Sequence, residues 1–182
     1  MIKKYLIISL ILLSTFITQS LIAESSFYSL KATDINGENV DFKEYKNKVL
    51  LITNFSSKCG TTPQLKEFQE LYDKFKSQKF IVLAFASEDF APMDIETDSE
   101  LKHFCEIKFG VNFEIFKVVN VKGKNIHPVF KFLTESNNEL SGSIGFNAEK
   151  FLINKEGLLV NRYGPFTGAL SSRIQTDIKE VL

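Results

Sequence analysis

Val49-Leu50-Leu51-Ile52-Thr53-Asn54-Phe55-Ser56-Ser57-Lys58-Cys59-Gly60-Thr61-Thr62-Pro63 decides the fold. Val49 to Phe55 is a continuous apolar run of strand length, the pattern of a strand buried on both faces. The far end of the stretch carries a helix-start signal, with Thr62 as a candidate N-cap and Pro63 suited to the first helical position. From there Leu65, Phe68, Leu71, Tyr72 and Phe75 recur at helical spacing. Phe80-Ile81-Val82-Leu83-Ala84-Phe85-Ala86 reads as a second buried strand. Strand, helix, strand is a βαβ unit, which predicts parallel strands joined by a right-handed crossover. Cys59 then lies at the carboxyl end of the first strand, where open α/β sheets place their sites. A thiol there meets free backbone N–H groups and the positive end of a helix dipole. Both favour thiolate, the form that reacts. Lys58 adds a positive charge next door.

Outward from this unit, Phe27 to Phe42 alternates loosely around Asn36-Gly37, a hairpin turn signal. A second helix is predicted over Ser99 to Phe109, with Leu101, Phe104, Cys105 and Lys108 sharing one side. The acidic residues of Glu96-Thr97-Asp98-Ser99-Glu100 suit its N-terminus. His127 to Leu133 reads as a short helix whose start His127 fixes, and Glu149 to Arg162 as a hairpin turning at Asn154-Lys155-Glu156-Gly157. The tail from Thr167 to Leu182 is amphipathic, with Leu170, Ile174, Ile178 and Val181 on one face. The order of elements is that of an α/β, thioredoxin-like fold: a central mixed sheet flanked by helices.

The chain has 182 residues, 44% of them hydrophobic, enough for one domain with a sizeable core. A formal net charge of 0 gives no electrostatic case for nucleic acid or an anionic membrane surface. The 18 Phe point to a well-filled apolar interior and to nothing functional. There are 2 His, with no spacing that makes a shared site, so no metal and no cofactor is expected. Met1-Ile2-Lys3-Lys4 is basic, Tyr5 to Ile17 mostly apolar, and Thr18 to Glu24 polar, as in a secretory signal. Cleavage after Ala23 leaves a domain over residues 24–182. An uncleaved anchor is the alternative, against which the short and broken apolar stretch argues. Either way the folded part is expected to be exported, to the bacterial periplasm. For an exported chain with 2 cysteines, one structural disulfide is the plain reading of Cys59 and Cys105.

Five blocks in order carry a resemblance. Ser57-Lys58-Cys59-Gly60-x-Thr62-Pro63-Gln64 resembles the active-site segment of the glutathione peroxidase family. Val82-Leu83-Ala84-Phe85 leading to Phe90 is similar to the family stretch that ends Asn-Gln-Phe. Phe104-Cys105-x-x-x-Phe109-Gly110-Val111-x-Phe113, His127-Pro128-x-Phe130-x-Phe132-Leu133, and Phe146-Asn147 followed by Lys150-Phe151-Leu152 resemble later family blocks. The resemblance covers about residues 27–182 and implies a thiol peroxidase acting on hydrogen peroxide and organic or lipid hydroperoxides. It gives Cys59 the role of attacking thiolate, oxidised to sulfenic acid. It gives Cys105 the role of resolving cysteine, as in the thioredoxin-using branch, with a thioredoxin-like protein or glutathione as reductant.

The family surrounds its reactive atom with Gln, Trp and Asn. Asn147 matches the Asn, whose amide N–H can donate to thiolate or peroxide. The Trp position is Phe146, which keeps a ring and loses the indole donor. The Gln position is Asp89, and a carboxylate beside a thiolate disfavours it. Three outcomes follow for Asp89: it is turned away, it is a carboxylic acid of raised pKa, or the enzyme is slow. Blander roles are also open, with Asn147 as a turn residue, Phe146 as core and Lys58 as a solvated lysine. Tetrameric members of the family carry a longer insertion where this chain has the short connection from Leu133 to Phe146, so the resemblance implies a monomer. Two competing functions are a thiol–disulfide oxidoreductase, against which the lack of Cys-x-x-Cys argues, and a non-catalytic module of the same fold.

Overall fold

The computed structural model describes residues 27–135 and 139–182. The expected export signal, residues 1–23, lies outside the described residues. Strands β1 (Lys31–Thr33) and β2 (Asn39–Asp41) form the predicted hairpin, a small antiparallel sheet of its own. β3 (Val49–Phe55), helix α1 (Gln64–Phe75) and β4 (Phe80–Ala86) are the βαβ unit. The two strands run parallel, from Val49 opposite Phe80 to Phe55 opposite Ala86. α2 (Asp98–Phe109), β5 (Glu114–Phe116), α3 (Pro128–Glu135), β6 (Lys150–Ile153), β7 (Leu159–Tyr163) and α4 (Ser172–Val181) follow. The main sheet has the order β5-β4-β3-β6-β7, with β6 antiparallel to β3 and to β7. It is the mixed sheet of a thioredoxin-like fold.

β3 is central and wholly buried, which accounts for its unbroken apolar run. Val49, Leu51 and Phe55 face a core built with Leu65, Phe68, Leu71 and Phe75 of α1, Leu101 and Cys105 of α2, and Ile174 and Ile178 of α4. Leu50 and Ile52 face the opposite core, with Val129, Phe130 and Leu133 of α3 and the rings of Phe27, Phe42 and Phe116. Phenylalanines fill both layers, and in the second Phe85 and Phe116 stack at 4.3 Å between ring centroids.

Three local expectations change. Thr62 does not cap α1: its hydroxyl donates to the carbonyls of Ser56 (2.5 Å) and Cys59 (2.6 Å), and the helix begins at Gln64. The tail helix begins at Ser172 rather than near Thr167, capped by Ser171. The carbonyls of Pro165 and Thr167 accept instead from the Lys150 ammonium, at 3.2 and 2.6 Å. β5 is not foreseen, because three residues are too few to show a period. The acidic cluster does lie at the start of α2, where Thr97 and Glu100 also form a reciprocal capping box that is not foreseen. His127 Nδ1 accepts from Val129 N–H at 3.3 Å, at the start of α3.

One ion pair holds the segment that leads into β6. Arg162 on β7 donates to Glu149 at 2.6 and 2.9 Å, and to the carbonyls of Leu140, Gly142 and Ser143. The other Glu149 oxygen accepts from Gly145 N–H at 2.6 Å. Arg162→Met strands the Glu149 carboxylate, which is 8% exposed. The expected loss is about 3–5 kcal/mol, read by urea denaturation. A loss below about 1 kcal/mol, the worth of a surface pair, would show that this pair does not anchor the segment.

Candidate active site

β3 ends at Phe55, and the chain turns back through Ser56 to Pro63 before α1 begins. Cys59 sits in that turn, 8% exposed. Its N–H donates to Ser56 O at 3.3 Å, and its carbonyl accepts from Thr62 N–H at 3.0 Å. The Cys59 sulfur lies 3.1 Å from the Thr61 hydroxyl. Burial alone raises the thiol pKa. The Thr61 hydroxyl, the Thr61 N–H, the Asn147 side chain and the Gly60 N–H pull the other way, outweigh it and hold the thiol below its ordinary value. The free N–H groups expected after the strand therefore act on the sulfur directly, while the helix starts five residues further on. Lys58 contributes less than its position promised: it is half exposed and ion-paired to Asp94.

Asn147 is brought to the same place by the strand next door. It is fully buried at the entry to β6. Ala148 takes a left-handed φ of 63° and donates its N–H to Asn54 O at 2.7 Å. The Asn54 side chain donates to Phe146 O (3.2 Å) and to Asn147 Oδ1 (3.1 Å). Asn147 Nδ2 has no partner at ordinary hydrogen-bond geometry, and its pull is felt at the Cys59 sulfur.

Phe146 stands in the wall of a cleft of about 510 Å³ lined also by Gly60, Thr61, Pro63, Gln64, Glu67 and Phe166. Its ring lies 6.0 Å from Phe90 and 6.2 Å from Phe166, which is 83% exposed. Phe146 thus walls a cleft that reaches Gly60 and Thr61, the neighbours of Cys59, without offering a donor. Asp89 does not join the site. Its carboxylate accepts from Val121 N–H at 2.6 Å and from Ser87 Oγ at 3.3 Å, and it is not among the groups acting on the Cys59 thiol. Of the three outcomes for Asp89, the first describes the structure.

Cys105 is also placed elsewhere. Both thiols are free. Cys105 is fully buried under α2, in a core cluster that does not include Cys59. Burial, and then the Glu106 carboxylate, push its thiol up to about 12. Sequence reasoning passed over two residues of the site, Thr61 and Asn54. A signal existed for Asn54, an amide in an otherwise apolar buried strand, since such a group must have partners. Thr61 was hidden by its neighbour Thr62, which drew attention as a cap. No group of three or more His, Cys, Asp or Glu is placed to hold a metal ion among the described residues.

Residues 27–134 match the glutathione peroxidase family. The chain is 39% identical over 161 residues to the glutathione peroxidase-like peroxiredoxin HYR1 of Saccharomyces cerevisiae, covering 86% of this chain and 99% of that one. It is 36% identical over 167 residues to the hydroperoxy fatty acid reductase gpx1 of Synechocystis, covering 88% and 98%. The crystal structure of Trgpx in apo form superposes with a TM-score of 0.70 at 29% identity, covering 87% of this chain and 96% of that one. By this match, over most of its length, the chain belongs to the glutathione peroxidase family and is a peroxidase.

Proposed function

We propose that the chain is an exported thiol peroxidase that reduces hydrogen peroxide and organic or lipid hydroperoxides through Cys59. The observation that carries this reading is the Cys59 sulfur, buried beside a cleft and held below its ordinary pKa by hydrogen-bond donors on several sides. The thiolate attacks the terminal oxygen of ROOH. An S–O bond forms, the O–O bond breaks, and its electron pair leaves on RO⁻, which takes a proton from solvent as ROH. The sulfur, oxidised by two electrons, carries the hydroperoxide's own OH as sulfenic acid. The Phe146 and Phe166 rings give the cleft an apolar wall suited to the alkyl part of an organic hydroperoxide.

Resolution by Cys105 then gives a Cys59–Cys105 disulfide and water. Cys105 must leave the core to do this, so α2 has to open. The helix is built to open more easily than α1: it buries only Leu101 and Cys105 fully, whereas α1 buries Leu65, Phe68, Gln69, Leu71 and Phe75. A protein dithiol is the better-fitting reductant. The cleft beside Cys59 has no cation in its lining and one carboxylate, Glu67, and so offers nothing to the carboxylates of glutathione, a net-anionic tripeptide. Export rests on the leader pattern of residues 1–23 alone.

Stoichiometric hydrogen peroxide is expected to convert the chain to an internal disulfide, Cys105→Ser to stop at a Cys59 sulfenic acid, and Cys59→Ser to leave peroxide unconsumed. Thiol-trapping mass spectrometry reads all three, and peroxide consumption by Cys59→Ser at the wild-type rate would sink the assignment. Turnover with thioredoxin is expected to exceed turnover with glutathione by at least about tenfold, and the reverse order would exclude Cys105 as the main route. The peroxide rate should rise with pH as thiolate forms and level off below the ordinary thiol range near 8.5. The sign follows from the lowered Cys59 pKa: thiolate is already present where a free thiol is still protonated. A profile that rises only through about 8.5 or higher would contradict it.

A further inference from the structure

We infer that the Thr61 hydroxyl is a catalytic donor to the Cys59 sulfur, working with Asn147 in place of the donors that Phe146 and Asp89 do not supply. The inference rests on the peroxidase reading of Cys59 and deepens it.

A buried thiolate needs compensating donors, since burial alone penalises its charge. Around Cys59 the Ser56 and Thr62 hydroxyls and the Lys58 ammonium are engaged elsewhere. The Ser56 hydroxyl donates to the Ala91 and Pro92 carbonyls, at 3.0 and 2.9 Å. The Thr62 hydroxyl is taken up by the carbonyls of Ser56 and Cys59. The Lys58 ammonium is paired with Asp94. Ser57 Oγ is buried without a partner and is not among the groups acting on the sulfur. Phe146 has no donor, and Asp89 accepts from Val121 N–H.

The Thr61 hydroxyl differs from all of these. At 3.1 Å from the sulfur it is within hydrogen-bond reach, and Thr61 is 8% exposed, so water competes weakly for it. Once Cys59 is ionised the sulfur can only accept, so the hydroxyl must be the donor. A bond to a charged acceptor is about twice as strong as a neutral one. Thr61 also lines the cleft, so the same side chain borders the entering hydroperoxide and the sulfur it meets. The charged groups nearby are Lys58 with its partner Asp94, and Glu67, whose carboxylate accepts from Ala169 N–H at 2.8 Å.

The test compares wild type with Thr61→Val, Thr61→Ala and Thr61→Ser. Iodoacetamide alkylation of Cys59 is followed against pH by peptide mass spectrometry, with peroxide reactivity measured in parallel. Val and Ala are expected to raise the Cys59 pKa by about one unit. They should slow alkylation about three- to tenfold on the acid limb, where thiolate is scarce, and not on the alkaline plateau, since the more basic thiolate is intrinsically the better nucleophile. Ser should restore the wild-type profile. Because Ala adds no bulk and Ser keeps the hydroxyl, that pair reads the donor even if Val packs badly. Coincident titrations of wild type and Ala, or a Ser variant that titrates with Ala, would overturn the inference. Alkylation uses no peroxide, so the two claims fail separately: a wild-type chain with a low Cys59 pKa that ignores peroxide overturns the peroxidase reading alone.

Discussion

A central strand buried on both faces must end somewhere, and its last peptide groups then need partners that the sheet no longer supplies. The carboxyl end of β3 is organised around that need. Phe55 O accepts from Ser87 N–H at 2.8 Å, and Asn54 O from Ala148 N–H. Ser56 O accepts from Cys59 N–H and the Thr62 hydroxyl. The N–H groups of Gly60 and Thr61 act on the Cys59 sulfur and lower its pKa. Satisfying the end of the strand and preparing the thiol are therefore one arrangement.

The two cysteines show how far surroundings outweigh residue type. Both are buried and both are free. One is ringed by donors and pulled toward thiolate, whereas the other is enclosed by apolar side chains beside a glutamate and pushed up to about 12. A low pKa favours attack on peroxide, and a high one keeps the second thiol inert while it stays in the core. Lys150 plays a supporting part at the same end of the sheet. Its buried ammonium, with a pKa brought down to about 8 by desolvation, ties Gln64 at the start of α1 to the loop that carries Phe166.

The fold was legible because its long elements carry strong periods. The buried run of β3, its partner β4 and the apolar stripe of α1 each follow from spacing, and the turn at Asn154 to Gly157 follows from residue type. What stayed hidden depends on tertiary partners. β5 is defined by pairing with β4, not by its own three residues. The start of α4 is set by a lysine that takes the carbonyls before it. In the site, position in the chain pointed to Cys59, and the family resemblance pointed to Asn147. The direction in which Asp89 faces, and the competition among four neighbouring hydroxyls that leaves Thr61 on the sulfur, are three-dimensional facts.

The amide pair at the end of β3 has one more consequence. The two ends of a primary amide are nearly the same shape, so packing alone cannot tell an N–H₂ from an oxygen. Here a backbone carbonyl decides. Phe146 O can only accept, so Asn54 must present its nitrogen there. That nitrogen's second hydrogen reaches Asn147 Oδ1, which turns the Asn147 nitrogen the other way, toward Cys59. The electrical sign seen by the sulfur is thus transmitted through two side chains from a peptide group that cannot rotate. A polarity that shape leaves open is set by relay.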